Sequence, residues 1–170
     1  MSRLIADASA LVSLGSVTDD DPDPLALCLS RYEVVVPTAV IDELQEIASY
    51  DDVHGHAASA VLDRAESFTT QSVELDVEFP LDDGENAAVT LANDLDAALF
   101  LCDEFNQLGL IYASLADTRL VTTPTLLSVL VRTKHLSAAD ARLLLDEISD
   151  ARSWSANSYV QRARSLLEDP

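Results

Sequence analysis

The segment DDGENAAVTLANDLDAALFLCDE, residues 82–104, carries the clearest information about the fold. Asp83 and Gly84 stand where a helix would begin, and the alanine-rich residues 85–94 predict that helix. Residues 97–102 are an unbroken apolar run of the length expected for a strand buried on both faces. Such strands are typical of parallel sheets covered by helices, so this segment predicts an α/β fold.

The sequence on both sides of this segment alternates strand and helix patterns. Short apolar or alternating runs predict further strands at residues 3–7, 33–36, 72–77 and 119–122. Helical periodicity and capping residues predict helices at residues 8–14, 24–30, 38–50, 54–68, 105–115, 126–132, 138–149 and 155–168. We expect a three-layer α/β/α arrangement around a twisted parallel central sheet, followed by C-terminal helices.

The length of the chain, 170 residues, fits one domain with a sizeable core. All predicted strands fall within residues 1–135, and the pattern of residues 136–170 is helical. We therefore expect an α/β domain over residues 1–135 and a helical extension over residues 136–170 that packs on the same domain.

The balance of charge is strongly acidic. Asp and Glu number 30 against 10 Lys and Arg, the formal net charge is −20, and 48% of the residues are hydrophobic. That hydrophobic fraction is ample for a packed core, which argues against a disordered chain. Acidic residues occur in every part of the sequence, whereas Lys134 is the single lysine.

Surface carboxylates at this density repel one another over a Debye length of roughly 10 Å at 0.1 M salt and about 3 Å at 1 M. We therefore hypothesise that the protein comes from an extreme halophile, with an acidic mesophilic protein as the alternative. Under this hypothesis the acidity is an adaptation to the solvent, and it is weak evidence against a nucleic-acid substrate.

Targeting signals are absent from the pattern of the sequence. No run reaches the roughly 18 apolar residues of a membrane span, and the N-terminus lacks the pattern of a secretory signal, so we expect no membrane contact and a cytoplasmic protein. Cys28 and Cys102 have no spacing typical of a metal site, and we expect both to be buried free thiols.

Acidic residues follow the predicted strands at the points where an α/β sheet forms its sites, the carboxyl ends of the strands. Asp7 ends the first strand, and Asp103, followed by Glu104, ends the strand of the central segment. Glu43 lies in the helix after the second strand, and Glu85 lies in the first turn of the alanine-rich helix. We expect these acids from separate segments to converge on one edge of the sheet.

Clustered carboxylates repel one another, and one of them takes up a proton unless a cation neutralises the group. Oxygen ligands of this kind suit Mg²⁺ or Mn²⁺, and such an ion promotes hydrolysis of phosphodiesters. Each acid also has a structural interpretation: Asp7 and Asp103 as helix N-caps, Glu85 as a partner of the helix dipole, and Glu43 as a solvated side chain.

Three segments together resemble the PIN-domain ribonuclease family: ADASALVSL at residues 6–14, VVVPTAVIDEL at residues 34–44, and the segment at residues 82–104. The third is the most specific, because Asp-x-Gly-Glu opens an alanine-rich helix and an apolar strand then runs into Asp-Glu. It is similar to the VapC-like toxin type, in which a helix opens with Gly-Glu and a strand ends in Asp-Glu. The resemblance extends over residues 3–133.

The resemblance implies a metal-dependent endoribonuclease, and many members of the family are toxins of toxin–antitoxin pairs that form dimers. It implies that Mg²⁺ or Mn²⁺ is held by catalytic acids at Asp7, Glu43, Glu85 and Asp103. It also implies assisting roles for Ser9 and Glu104. The expected partners are RNA as substrate, an antitoxin protein and a second copy of the chain.

Basic residues able to contact RNA are scarce, and the candidates beyond the last predicted strand are Arg119, Arg132 and Lys134. The alternative for Arg132 and Lys134 is a helix C-terminus whose dipole they complement.

Two other classes of function stay open. One is a non-catalytic PIN-like module that binds a partner or helps an assembly to form. The other is a different α/β protein with an acid cluster, either a receiver domain or a Mg²⁺-dependent phosphatase. A receiver domain has an adjacent acid pair near the first strand, and a phosphatase of the Asp-x-Asp type has an acid at the place of Ser9. The sequence departs from both patterns.

The halophile hypothesis predicts that the melting temperature rises between about 0.1 M and about 1 M potassium chloride, because salt screens the repulsion among surface carboxylates. Circular dichroism at each salt concentration measures the transition. Equal melting temperatures at both concentrations would contradict the hypothesis.

Overall fold

The computed structural model describes residues 1–168. Five strands form one sheet in the order β3-β2-β1-β4-β5, and every neighbouring pair is parallel. The strands are β1 (Arg3–Ala6), β2 (Glu33–Pro37), β3 (Thr69–Gln71), β4 (Leu99–Leu101) and β5 (Arg119–Val121). The predicted α/β class with a parallel central sheet is confirmed.

Helices connect the strands and cover both faces of the sheet. They are α1 (Ala8–Gly15), α2 (Pro24–Arg31), α3 (Thr38–Ala48), α4 (Val53–Leu62), α5 (Asp83–Leu95), α6 (Leu108–Ser114), α7 (Thr123–Arg132), α8 (Ala138–Arg152) and α9 (Ser158–Glu168). A single 3-10 turn at Ala65–Ser67 follows α4. No helix within residues 1–168 combines the length and the apolar character needed to cross a bilayer.

Aspartates begin several of these helices, which gives part of the acidic composition a structural use. The side chains of Asp7, Asp23, Asp52 and Asp82 each accept a hydrogen bond from a backbone N–H in the first turn of the following helix. These N–H groups have no partner within the helix, and a carboxylate there also complements the helix dipole.

Alternating residues of the strands divide between two hydrophobic cores, one on each face of the sheet. In β1, Leu4 and Ala6 belong to the larger core, whereas Ile5 belongs to the smaller one. The smaller core lies under α5 and α6, which contribute residues such as Leu91 and Ile111. Because both faces are covered there, the inner strands β1, β2 and β4 are apolar over most of their length, whereas the edge strand β3 consists of exposed polar residues.

The C-terminal helices contribute to the larger core. Leu145 and Ile148 of α8 and Val160 of α9 are fully buried in the same cluster as Leu11 of α1. Helix α8 packs against α1 as well as against α7 and α9. Residues 136–168 therefore bury their apolar faces against the α/β unit.

The predicted strand at residues 72–77 is wrong, because the strand lies three residues earlier, at Thr69–Gln71. Its last residue pairs with Pro37, the final residue of β2, and α3 begins directly after that proline. With no further backbone of β2 to pair with, the alternating residues 72–77 leave the sheet, and Val77 is 97% exposed.

Several predicted helix limits also differ from the structure. The helix predicted for residues 54–68 ends at Leu62, and the 3-10 turn occupies part of the remainder. The helix predicted for residues 105–115 begins at Leu108, since turns follow the end of β4. These differences leave the order of the elements unchanged.

A close approach of α1 and α4 depends on Gly15, because an added Cβ would lie 2.3 Å from the backbone oxygen of Ala57. We expect Gly15→Ala to lower the free energy of unfolding by about 1–3 kcal/mol, since the two helices must separate. Gly109→Ala is the matched control, because no atom lies within 4 Å of an added Cβ there. The control is expected to stabilise by roughly 0.4–1 kcal/mol. Urea denaturation measures both, and equal effects would contradict this account.

Candidate active site

The strands β1 and β4 are neighbours, which brings two distant parts of the sequence to one edge of the sheet. Ala6 pairs with Leu101, and the backbone N–H of Asp7 donates to the carbonyl oxygen of Leu101 at 3.1 Å. The residues that follow the two strands, Asp7 on one side and Cys102 and Asp103 on the other, therefore lie beside each other.

Three donors orient the carboxylate of Asp7, which is 3% exposed. Its Oδ1 accepts from the Ser9 hydroxyl at 2.7 Å and from the backbone N–H of Ala10 at 3.2 Å. Its Oδ2 accepts from the Cys102 thiol at 3.1 Å. Asp7 is thus the N-cap of α1 and at the same time faces the edge of the sheet, so the structural and the functional interpretations of this residue are compatible.

Ser9 joins the ends of the two strands. Its hydroxyl oxygen donates to Asp7 and accepts from the backbone N–H of Asp103 at 2.9 Å. The carboxylate of Asp103 is directed to the start of α7, where its oxygens accept from the backbone N–H of Thr123 at 2.7 Å and from the Thr123 hydroxyl at 2.5 Å.

A cavity of about 190 Å³ opens at this edge of the sheet, and its wall is dominated by acidic side chains. Of the residues predicted for the site, the wall contains Asp7, Ser9, Glu43, Glu85 and Glu104. Asp103 is not part of the wall; it is 4% exposed and lies behind Ser9. The structure thus brings most of the predicted acids together in one cavity wall, whereas the carboxylate of Asp103 is bonded to Thr123 outside that wall.

Helices α3 and α5 pack against each other and carry two of these acids toward the cavity. Gly84 leaves room for the carboxylate of Glu43, because an added Cβ would lie 2.9 Å from its Oε2 and the side chain would have to shift. Asp82 caps α5 by accepting from the backbone N–H of Glu85 at 2.8 Å, and its side chain also lines the cavity. The Gly-Glu pair at the start of α5 therefore allows the carboxylate of Glu43 to approach the N-terminus of this helix.

Burial and mutual repulsion raise the pKa values of these carboxyl groups. Burial, partly offset by the hydrogen bonds from Ser9 and Cys102, raises the pKa of Asp7 to about 6. Burial and the charges of Asp82, Asp7 and Glu104 raise the pKa of Glu43 to about 7, and burial with the same neighbours raises the pKa of Glu85. The cluster is therefore costly to ionise without a compensating cation.

The chemistry of the donors fits a hard divalent cation. Carboxylate and hydroxyl oxygens from the N-terminus of α1, from α3, from the start of α5 and from the residues after β4 face one cavity, and hard oxygen ligands are those that Mg²⁺ and Mn²⁺ prefer. Within residues 1–168, no three His, Cys, Asp or Glu side chains are already arranged around a common metal position.

Three polar or charged residues of the cavity wall were not among the predicted site residues: Asp82, His54 and Arg152. Asp82 had a sequence signal, because Asp three residues before Glu is a pattern typical of a helix N-terminus. His54 and Arg152 had none, since α4 and α8 reach the cavity only through tertiary packing.

The basic residues predicted to contact RNA do not line this cavity. Arg119 begins β5, at the opposite edge of the sheet, and Arg132 is the last residue of α7, which runs away from the carboxyl edge. Lys134 lies beyond the end of α7. The cation that does lie in the wall is Arg152.

The raised pKa of Glu43 generates a prediction for the metal-free protein. A carboxyl group whose pKa is higher in the folded than in the unfolded state destabilises the fold above the folded value of about 7. In the presence of a chelator at about pH 8, we expect Glu43→Gln to raise the free energy of unfolding by about 1–2 kcal/mol, a value reduced because the side chain is only half-buried.

The same substitution is expected to have no effect near pH 4, because the pH is then below the pKa of the glutamate in the unfolded chain and Glu43 is mostly protonated in both states. Asp42→Asn, at an exposed position of the same helix, is the control and should change stability at neither pH. Urea denaturation at the two pH values measures the difference. A gain from Glu43→Gln that is equal at both pH values would exclude ionisation as its cause.

Comparisons with known proteins identify the family and the fold of the chain. A family model described as a PIN domain matches residues 3–169. Among solved structures, the fold is similar to that of a PilT N-terminus domain protein from the hyperthermophilic archaeon Sulfolobus solfataricus P2. The two are 15% identical, the match covers 75% of this chain and 92% of that chain, and the TM-score is 0.52. No match was found among curated proteins. The family model spans the α/β unit and the C-terminal helices alike, and the chain therefore belongs to the PIN-domain family, whose members are generally nucleases.

Proposed function

We propose that the protein is a metal-dependent endoribonuclease that hydrolyses phosphodiester bonds of RNA with Mg²⁺ or Mn²⁺. The observation that carries this proposal is the convergence of acidic side chains from four separate segments in one cavity at the carboxyl edge of the sheet. The raised pKa values of Asp7 and Glu43 add to it, because a divalent cation would offset the repulsion that raises them.

We assign the cation to the carboxylates of Asp7, Glu43 and Glu85, with Glu104 assisting from the same wall. When bound, the cation supplies neutralisation of charge on the phosphodiester and lowers the pKa of a water molecule. The chain itself supplies orientation: Ser9, Ala10 and Cys102 hold the carboxylate of Asp7 in one direction.

For Asp103 we propose a positioning role. Both of its carboxylate oxygens accept hydrogen bonds from Thr123, and its backbone N–H donates to Ser9, which in turn donates to Asp7. Asp103 thereby links the end of β4 and the start of α7 to Ser9, which orients the carboxylate of Asp7. The resemblance implies that Asp103 binds the cation directly. To do so, its carboxylate would have to give up its hydrogen bonds from Thr123.

The proposals about a toxin role and about protein partners rest on the resemblance to VapC-like toxins. We propose that the protein is the toxin of a toxin–antitoxin pair and that the antitoxin places an arginine against the acidic cavity, where a bidentate pair with a carboxylate is favourable. A homodimer is part of the same proposal. The excess of acidic residues supports a protein that works in the cytoplasm of a halophile.

Substitution of the central ligand tests the proposed activity. We expect wild-type protein to bind Mn²⁺ and to cleave single-stranded RNA in molar salt, and we expect Asp7→Asn to lower cleavage by at least about 100-fold. The amide keeps an acceptor for Ala10 and so preserves the cap of α1, while the charge is lost.

Asp42→Asn, which removes an exposed carboxylate of α3 outside the cavity, is the matched control and should retain full activity. Isothermal titration with Mn²⁺ and gel assays of RNA cleavage give the two readouts. Cleavage that persists in the presence of a chelator would exclude the proposed mechanism.

A further inference from the structure

Arg152, the last residue of α8, is the single Lys or Arg in the described wall of the acidic cavity. Five carboxylates share that wall, yet within residues 1–168 the guanidinium of Arg152 forms no ion pair of 4.0 Å or less with any of them. Its Nε is buried and has no hydrogen-bond partner among the described residues. The side chain therefore brings unused donors to a site that is otherwise negative.

The end of α8 is held firmly beside the cavity. Nε2 of His54, itself in the cavity wall, donates to the carbonyl oxygen of Ala151 at 3.1 Å. Ser153 ends the helix in the left-handed conformation, with φ 59°, and the next backbone N–H, that of Trp154, donates to the carbonyl oxygen of Ser149 at 2.9 Å. This helix end is thus tied to α4 as well as to its own last turn.

Aromatic packing fixes the direction of the guanidinium. It lies 5.9 Å from the centre of the Trp154 ring, in the range of a cation–π contact. Trp154 packs edge to face on Phe105 at 5.0 Å, and Phe105 directly follows Glu104 of the cavity wall. The arginine is therefore supported by groups that also border the site, and its position does not depend on pairing with an acid.

The guanidinium of Arg152 lines the cavity without an ion pair to any described carboxylate, so an anion that enters the cavity can pair with it. The planar guanidinium suits two oxygens of one phosphate group, which it can contact bidentately. We propose that Arg152 is the residue that binds a phosphate group of the substrate backbone next to the acidic cluster.

This inference rests on the proposed function, because it assigns a phosphate ligand to the same cavity. It also accounts for recognition of a polyanion by a chain with a net charge of −20. Binding then depends on one half-buried arginine and the metal, whereas a broad basic surface would lose most of its contribution in concentrated salt.

The competing explanation is that Arg152 is a permanent counter-ion of the carboxylates. The two roles predict different effects on metal binding. A counter-ion competes with the metal, so its removal would strengthen Mn²⁺ binding and leave phosphate binding unchanged. A phosphate ligand contacts the anion, so its removal would weaken phosphate binding and change Mn²⁺ affinity little.

The experiment uses Mn²⁺ and inorganic phosphate as probes with wild-type protein, Arg152→Gln, Arg152→Lys and the control Arg162→Gln. Arg162 lies on α9, outside the acidic cavity, and its substitution removes the same charge. Isothermal titration gives the Mn²⁺ affinity, and paramagnetic broadening of the phosphate ³¹P resonance by protein-bound Mn²⁺ gives the phosphate affinity.

We expect Arg152→Gln to weaken phosphate binding by at least about tenfold with Mn²⁺ affinity changed by less than about threefold, because a hydrogen bond to a charged group is lost. Arg152→Lys should recover part of the affinity, since it keeps the charge without the fork. Arg162→Gln should behave as wild type. Unchanged phosphate binding in Arg152→Gln, or no phosphate binding by wild type, would overturn the inference.

An RNA cleavage assay on the same variants separates this inference from the proposed function. If Arg152 binds phosphate but wild type cleaves no RNA, the ribonuclease proposal fails and the phosphate site stands. If wild type cleaves RNA and Arg152→Gln does so with unchanged KM and kcat, the ribonuclease proposal stands and the role of Arg152 is refuted.

Discussion

The parallel pairing of β1 with β4 is the constraint on which the site depends. This pairing joins residues almost one hundred positions apart and sets Asp7 beside Cys102 and Asp103, the residues that follow β4. Ser9 then completes the connection with hydrogen bonds to both sides. Because strand ends in a parallel sheet cannot slide without breaking the ladder, the carboxylate of Asp7 is held by the same interactions that hold the sheet together.

Ionisation of the carboxylates in the acidic cavity is unfavourable, because they are buried and lie close to one another. Burial and proximity raise the pKa values of Asp7 and Glu43 toward neutrality, so the group lies close to its ionisation point under ordinary conditions. Such a cluster is poorly suited to a merely structural purpose, since apolar residues of similar volume would avoid the penalty. It is well suited to a cation, which removes the repulsion and restores the charges of its ligands.

The C-terminal helices contribute to the chemistry of this edge as well as to the core. The larger core continues from the sheet through α1 into α8 and α9, and the end of α8 brings Arg152 to the cavity. Phe105, Trp154 and Tyr159 form a small aromatic group beside the site, with Phe105 and Tyr159 stacked at 5.5 Å. The acids of the cavity wall lie outside these helices, whereas its arginine, Arg152, belongs to α8.

The sequence by itself determined the α/β class, the order of its elements and the segments from which the cavity acids come, because apolar runs, helical spacing and strand-end acids are local signals. The sequence pattern predicts the third strand three residues too late, because the strand at Thr69–Gln71 ends where β2 has no further residue to pair with it. Tertiary structure alone decided that Asp103 is directed to Thr123 and that Arg152 and His54 reach the cavity. Those outcomes depend on which helices pack together and in what direction. Sequence periodicity reports the local structure of each element and does not show which distant elements contact one another.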